Sequence, residues 1–175
     1  MNETNNTIQC ILTGGTIDSI WNPMKDTATP SEHSSLPDYF KQLKLYTEVM
    51  FTEVCMKDSR TLTPEDMISV CKTIEESPYS KIIVTHGTYT MPDTARFIKS
   101  RVKRTDQTII LTGSMTPLKG FEFTDAPFNL GFAVGQVLSL PAGVYLCMNG
   151  KTFTPEEVAK NISEGRFYSI FTDKQ

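Results

Sequence analysis

The sequence lacks the groupings of cysteine and histidine that hold a metal ion. Its 175 residues include four cysteines and two histidines. None of them forms a C-x-x-C pair or a Cys/His cluster, which argues against a zinc site. The cysteines are widely spaced along the chain: Cys10, Cys55, Cys71 and Cys147. We expect mostly buried free thiols in a reducing compartment, and we expect neither a metal ion nor another cofactor.

Two further absences narrow the range of partners. The net charge is −3 and no basic patch is visible, which argues against nucleic acid as the main partner. No apolar stretch approaches the ~18 residues of a membrane span, and the polar first residues have no signal-peptide pattern. We therefore expect a cytoplasmic protein that contacts neither nucleic acid nor a membrane.

Nucleotide-binding fingerprints are also missing. The segment Thr-Gly-Gly-Thr at 13–16 follows an apolar run, and the N–H groups of such a turn can bind an anion. However, neither G-x-G-x-x-G nor G-x-x-x-x-G-K-[ST] occurs in the chain, which argues against a nucleotide. A tight turn explains the two glycines, but it does not explain the hydroxyl side chains beside them.

What the chain does contain is an alternation of short apolar strands and helices. Strands are predicted at 8–12, 46–56, 81–85, 108–111 and 144–148. Helices are predicted at 64–77, 92–102 and 126–138, with a short final helix that begins at Thr154. The alternation indicates an α/β fold, a single domain over 1–175 whose doubly wound, mostly parallel sheet is flanked by helices. Residues 19–37 show neither the helical nor the strand spacing of apolar residues, and they are predicted to be a candidate active-site loop.

Three of the predicted strands end in glycine beside hydroxyl side chains. The endings are Thr-Gly-Gly-Thr at 13–16, Thr-His-Gly-Thr at 85–88 and Thr-Gly-Ser at 112–114. Ligands of an open parallel sheet bind beyond the carboxyl ends of its strands. The pattern therefore predicts a site built from hydroxyl groups, with Thr16, Thr88 and Ser114 at one edge.

Two of these segments resemble the bacterial-type L-asparaginase family, which carries a T-G-G-T-I and an H-G-T-D-T-M motif. The matching segments here are Thr-Gly-Gly-Thr-Ile at 13–17 and Thr-His-Gly-Thr-Tyr-Thr-Met at 85–91. Further matches occur in order at 58–59, 113–115, 127–130 and 157–160. The resemblance covers nearly the whole chain. It corresponds to the N-terminal domain of two-domain members and is strongest to short, single-domain members.

The resemblance implies an activity and a set of roles. It implies hydrolysis of L-asparagine or a related small amide through an ester on Thr16, without metal or cofactor, in a homo-oligomer. Thr88 is similar to a second threonine that is polarised by Lys160. Ser59 resembles a contact for the substrate carboxylate, and the main chain of Ser114 resembles a position that receives the oxyanion. From the residues alone, the favoured interpretation of Lys160 is a solvated helix lysine between Glu156 and Glu164.

The chain departs from the family pattern at three positions of the substrate-binding set. Tyr89 replaces an aspartate that in the family helps to bind the α-amino group, and a tyrosine of ordinary pKa carries no charge. Trp21 stands where short members have a tyrosine, and Arg60 stands where a small polar residue or glutamine is usual. Three hypotheses remain: an asparaginase adapted to Tyr89, a hydrolase of an amide without a free α-amino group, or a weak relative that binds a small carboxylate.

Overall fold

The structure, a computed structural model, describes residues 6–171. Over these residues the strands are β1 (Ile8–Gly14), β2 (Ser19–Asn22), β3 (Thr27–Pro30), β4 (Val49–Lys57), β5 (Lys81–Thr85), β6 (Thr108–Thr112), β7 (Gly143–Met148), β8 (Lys151–Phe153), β9 (Val158–Asn161) and β10 (Arg166–Ser169). The helices are α1 (Leu36–Leu43), α2 (Pro64–Glu75), α3 (Met91–Arg101) and α4 (Ala126–Ser139). None of these helices is long and apolar enough to cross a membrane.

The central sheet has six strands in the order β4-β1-β5-β6-β7-β8. Its first five strands are parallel, and β8 adds an antiparallel edge. The register aligns Leu12 with Thr85 and Thr85 with Thr112. Leu12, near the end of β1, therefore lies in one row with the last residues of β5 and β6, which confirms the predicted mostly parallel sheet and the common edge of its three endings.

Helices cover both faces of this sheet, because alternate residues of its strands point to opposite sides. On one face, Ile11 and Val84 pack with α2, α3 and the β9–β10 pair. On the other face, Cys10 and Ile83 pack with α1 and α4. The strands at the centre are buried on both sides, as their continuous apolar runs indicate. The sheet is therefore doubly wound, as predicted.

The start of α2 shows how local sequence sets an element boundary. The Thr63 hydroxyl accepts a hydrogen bond from the main-chain N–H of Asp66, whose carboxylate accepts one from the N–H of Thr63. This reciprocal arrangement satisfies N–H groups that a helix start leaves without partners. The helix start predicted from Thr63 and Pro64 is confirmed.

The prediction of a loop over residues 19–37 is wrong in part. Residues of β2 and β3 form an antiparallel hairpin with Ser19 opposite Pro30, and α1 begins at Leu36. The Asp18 carboxylate accepts hydrogen bonds from Ser34 and Ser35, which fixes the segment that leads into α1. The hairpin is hard to recognise because only a few of its side chains are buried, so its residues show no alternation.

The prediction of a final helix from Thr154 is also wrong. The Glu157 carboxylate accepts hydrogen bonds from the main-chain N–H and the hydroxyl of Thr154, so the local signal of a helix start is present. The chain nevertheless turns into β9, which pairs antiparallel with β10. Buried Val158 and Phe167 join the core at this point. Burial of the paired strands overrides the local preference for a helix.

Candidate active site

Glycine lets the ends of the strands approach one another more closely than any other residue would allow. Gly15 has a φ of 80°, and a Cβ atom there would lie 2.4 Å from the main-chain nitrogen of Gly87. A Cβ atom on Gly113 would lie 2.3 Å from the carbonyl oxygen of His86. These contacts join the three predicted strand endings through their main chains. Thr16 and Thr88, each one residue beyond a contacting glycine, are therefore held at the same edge of the sheet.

Thr16 opens a single 3-10 turn that continues to Asp18. The turn is fixed on both sides, since the Ser19 hydroxyl donates to the carbonyl of Gly15 and the N–H of Leu118 donates to the carbonyl of Ile17. Ile17 is buried while Thr16 is partly exposed. The hydroxyl of Thr16 is thus carried by a rigid main chain at the surface of the site.

Thr88 and Lys160 are in direct contact, although they are 72 positions apart. The ammonium group of Lys160 donates a hydrogen bond of 2.7 Å to the Thr88 hydroxyl oxygen. Lys160 lies on β9 and not on a helix, and Glu156 is instead paired with Lys99 at 2.8 Å. The interpretation of Lys160 as a helix lysine between two glutamates is therefore wrong.

The surroundings of Lys160 make its protonated form less favourable than that of a free lysine. Desolvation by burial lowers the pKa of Lys160, and the positive charge of Arg60 lowers it further. None of the ion pairs within residues 6–171 includes Lys160. A lysine acts as a base only when it is unprotonated, so this environment suits proton transfer.

A short turn at 58–61 forms the wall beside Thr88. Ser59 is buried, its hydroxyl lies against Gly87, and its carbonyl accepts a hydrogen bond of 3.1 Å from the Thr90 hydroxyl. The guanidinium of Arg60 grips the Asp58 carboxylate through Nε and Nη2. It also lies 5.7 Å from the centre of the Tyr89 ring. Arg60 and Tyr89, two of the departures from the family pattern, are thus neighbours.

Ser114 lies at the third strand ending, but its hydroxyl is directed into the protein, where it donates to the carbonyl of Thr116. Its neighbours Met115 and Thr116 donate their N–H groups to the Asp125 carboxylate. Asp125 is the residue directly before α4, but its side chain makes no capping hydrogen bond to that helix. It holds the main chain after Ser114 instead.

Asn129 supports the same segment and was not singled out by the sequence analysis. It is fully buried, and its amide nitrogen donates to the carbonyl of Gly113 and to the Asp125 carboxylate. Its amide oxygen accepts from the N–H of Asn149. A lone asparagine on the apolar helix α4 was the available signal, because a buried amide requires hydrogen-bond partners.

The structure places Trp21 on the β2–β3 hairpin, opposite Ala28, with about half of its surface exposed. This hairpin comes directly after the turn of Thr16. No described contact joins the indole to Thr88 or Lys160. The part of Trp21 in substrate binding therefore stays a prediction.

His86 is buried beneath the site, as expected of a structural histidine. Its Nδ1 lies 2.8 Å from the carbonyl oxygen of Gly87, so the ring donates there, while Nε2 has no hydrogen-bond partner among residues 6–171. Burial lowers the pKa of His86 to about 4. The ring is therefore neutral at physiological pH.

The described residues contain no group of three or more His, Cys, Asp or Glu side chains that could hold a metal ion. The polar groups that converge at the edge of the sheet are instead hydroxyls, one lysine and main-chain N–H groups. This is the set that acyl transfer requires: a nucleophile, a base and donors for an oxyanion.

Comparison with known proteins agrees with this arrangement. Residues 7–169 match the family model described as "Asparaginase, N-terminal". The chain belongs to the asparaginase family. The match takes in all three strand endings and Lys160, and it confirms the resemblance drawn from the motifs.

Similar proteins include members of this family from bacteria and archaea. The chain is 28% identical, over 90% of its length, to a glutaminase-asparaginase of Acinetobacter glutaminasificans, of which it covers 50%. The thermostable L-asparaginase from Thermococcus kodakarensis superposes with a TM-score of 0.81 at 27% identity, over 94% of this chain and 51% of that one. A probable cytoplasmic L-asparaginase from Campylobacter jejuni gives 0.80 at 26% identity, over 94% and 53%. The chain thus spans about half the length of the relatives it matches.

The contact between Gly15 and Gly87 predicts that Gly15→Ala will damage both stability and activity. The new methyl group would overlap main-chain atoms at a positive φ, so we expect a loss of at least about 2 kcal/mol in unfolding free energy. Displacement of Thr16 by about 1 Å would lower the rate of any reaction at its hydroxyl about a hundredfold. Denaturant unfolding measures the first effect, and the turnover assay of the function proposed below measures the second.

Gly135→Ala is the matched control for Gly15→Ala. Gly135 lies within α4, and a Cβ atom there would meet nothing within 4 Å, so alanine should stabilise the helix by up to about 1 kcal/mol. Equal effects of the two substitutions would contradict the importance that we assign to the Gly15 contact.

The buried His86 predicts a loss of stability in acid. Its pKa is about 4 in the folded chain against 6.5 for the free side chain, so between these values the unfolded chain binds more protons. Stability contributed by the neutral ring is present above about pH 6.5 and is lost as the pH falls. Between about pH 7 and about pH 4.5 this one group lowers the unfolding free energy by about 2 kcal/mol.

Comparing wild type with His86→Gln at both pH values isolates that contribution, because the other titrating groups are common to both proteins. We expect a smaller acid loss in His86→Gln. The control is His33→Gln, which removes an exposed histidine whose pKa is raised by Glu53. It should not reduce the acid loss, because a raised pKa contributes stability at low pH. An unchanged acid loss in His86→Gln would contradict the assignment.

Proposed function

We propose that the protein is an amidohydrolase that converts a small amide, L-asparagine or a relative of it, to the acid and ammonia. The observation that carries the proposal is the 2.7 Å hydrogen bond between Lys160 and Thr88 at the edge that Thr16 shares. A threonine hydroxyl is a weak nucleophile until a neighbour removes its proton. The pair supplies a base for this purpose, and family membership supports the same chemistry.

In the proposed reaction, the Thr16 hydroxyl oxygen forms a bond to the amide carbon and its proton passes to the site's base. The C–N bond then breaks, and the nitrogen leaves as ammonia after gaining a proton. The resulting ester on Thr16 reacts with water, which releases the acid and restores the hydroxyl. Neutral Lys160, acting through the Thr88 hydroxyl, accepts and returns the proton at each stage.

The main chain after β6 is the proposed site for the oxyanion that forms on the carbonyl oxygen. Asp125 engages the N–H groups of Met115 and Thr116, which orients this segment, and Asn129 fixes the carbonyl of Gly113. The N–H of Ser114 lies between these fixed groups. A preorganised donor in this position lowers the barrier by several kcal/mol.

Arg60 favours a second candidate function, the binding of a small carboxylate without efficient hydrolysis. Its guanidinium is exposed beside Ser59, and arginine is well suited to carboxylates. Under this function the departures at Tyr89 and Trp21 cost the protein its catalytic efficiency. The homo-oligomeric state and the cytoplasmic location stay predictions under both functions.

The two functions differ in the result of one substitution. We expect Thr16→Ala to lower ammonia release from L-asparagine, L-glutamine or another small amide at least about a thousandfold. Thr73→Ala is the matched control, because that hydroxyl bonds only within α2 and lies outside the site. If wild type releases no more ammonia than Thr16→Ala from any of these amides, the proposed hydrolysis is wrong. That result would favour the binding of a small carboxylate.

The charge of Arg60 predicts a change in pH dependence. Activity should rise with pH as Lys160 loses its proton, because only the neutral amine accepts one. Arg60 lowers the pKa of Lys160, so Arg60→Gln removes this effect and moves the rising limb to higher pH. The quantity to measure is the pH at which activity is half maximal. The maximal activity itself is not informative, because Arg60 is also proposed to contact the substrate. A limb that stays in place or moves to lower pH would contradict this role.

A further inference from the structure

The acidic side chains next to the proposed site residues are all engaged by the protein itself. Asp58 accepts hydrogen bonds from the side chain and the N–H of Arg60. Asp18 is buried and accepts from Ser34 and Ser35, while Asp125 accepts from two N–H groups and Asn129. Glu157 accepts from Thr154 and Ser169. No carboxylate of this set is left to pair with a cation of the substrate.

The cationic side chains at the site are arranged differently. Lys160 contacts Thr88, and within residues 6–171 it belongs to no ion pair. Arg60 uses Nε and Nη2 for Asp58, and these bonds do not involve Nη1. The two positive charges act on each other, since Arg60 lowers the pKa of Lys160. A substrate that binds against Thr88 therefore meets Lys160 and the Nη1 edge of Arg60, while Asp58 is engaged by Nε and Nη2 of the same guanidinium.

Tyr89 gives an ammonium group no substitute for a carboxylate. The ring is half exposed beside Thr88 and carries no charge. An aromatic face can attract a cation, but the guanidinium of Arg60 already lies 5.7 Å from the centre of this ring. A second cation there would be repelled by the first.

We propose that the site selects amides that carry a carboxylate but no ammonium group, the ω-monoamides of dicarboxylic acids, and that Arg60 and Tyr89 determine this selection. The inference rests on the proposed amidohydrolase function. The substrate carboxylate is attracted by the guanidinium of Arg60, which repels an ammonium group on the adjacent carbon. The reaction balances as monoamide plus water giving dicarboxylate plus ammonium.

Succinamic acid and L-asparagine test the proposal directly, because they differ only in the α-ammonium group. We expect kcat/KM for succinamate to exceed that for L-asparagine at least about tenfold, since like charges in a binding site cost several kcal/mol. Equal values, or a preference for L-asparagine, would overturn the proposal. Ammonia release measures both rates on the same wild-type preparation.

Two substitutions at Tyr89 separate the effect of charge from the loss of the ring. Tyr89→Asp and Tyr89→Asn both remove the ring and have nearly the same shape, but only aspartate adds a negative charge. We expect the ratio of L-asparagine to succinamate kcat/KM to be at least about tenfold higher in Tyr89→Asp than in Tyr89→Asn. The ratio cancels effects that both substrates share, such as a changed pKa of Lys160. Equal ratios in the two variants would overturn the role of Tyr89.

Ligand binding by the Thr16→Ala variant tests the proposed selectivity separately from the proposed hydrolysis. If neither amide releases ammonia above this variant, amide hydrolysis fails as the function. Calorimetric titration of Thr16→Ala with the same two compounds then decides the selectivity alone. Tighter binding of succinamate supports it, and equal or weaker binding of succinamate overturns it.

Discussion

The close approach of the Gly15 and Gly87 main chains is the constraint on which the site depends. The parallel register brings the ends of β1, β5 and β6 into one row, but register alone leaves space between strand ends for side chains. Two glycines remove that space. The residues directly after them, Thr16 and Thr88, are consequently positioned by main-chain contact, which is more rigid than contact between side chains.

Lys160 reaches this edge by a different route. It comes from a short antiparallel pair outside the central sheet, and that pair is attached at Val158, whose carbonyl accepts a hydrogen bond from the Arg96 side chain of α3. Phe167 anchors the opposite strand in the core. Lys160 is thus supported by packing against α3, while the threonines are supported by the sheet. The contact between Lys160 and Thr88 therefore requires the β9–β10 pair and the central sheet to be correctly placed relative to each other.

Much of the fold was predictable because its signals are local or periodic. The bounds of β5 were predicted without error, and the start of α2 was indicated by Thr63 and Pro64. The final helix was not predictable, because Thr154 and Glu157 make the same hydrogen bonds at the start of a helix and in the observed turn. The pairing of β9 with β10 decides between the two structures, and it depends on the burial of Phe167.

The candidate site also has a part that could be predicted from the sequence and a part that could not. Thr16, Thr88 and Ser114 could be brought together from the strand endings, because residues that come after neighbouring parallel strands gather at one edge of the sheet. Lys160 was identified through the family motif and not through its surroundings. The network of Asp125 and Asn129 was missed, since its partners lie on the loop after β6 and beyond β7, and a hydrogen bond between distant segments leaves no periodic pattern.

Substrate selection and base strength are linked in the proposed site, because Tyr89 directly follows Thr88, the residue that Lys160 contacts. A carboxylate next to Thr88 would offer a partner to a substrate ammonium, but it would also favour the protonated form of Lys160 and raise its pKa. Arg60 has the opposite effect on both properties, because its charge repels an ammonium group and lowers the pKa of Lys160. Tyr89 offers an ammonium group no carboxylate. Under the proposed function, a change in the substrate charge that the site accepts therefore also moves the pH range of catalysis.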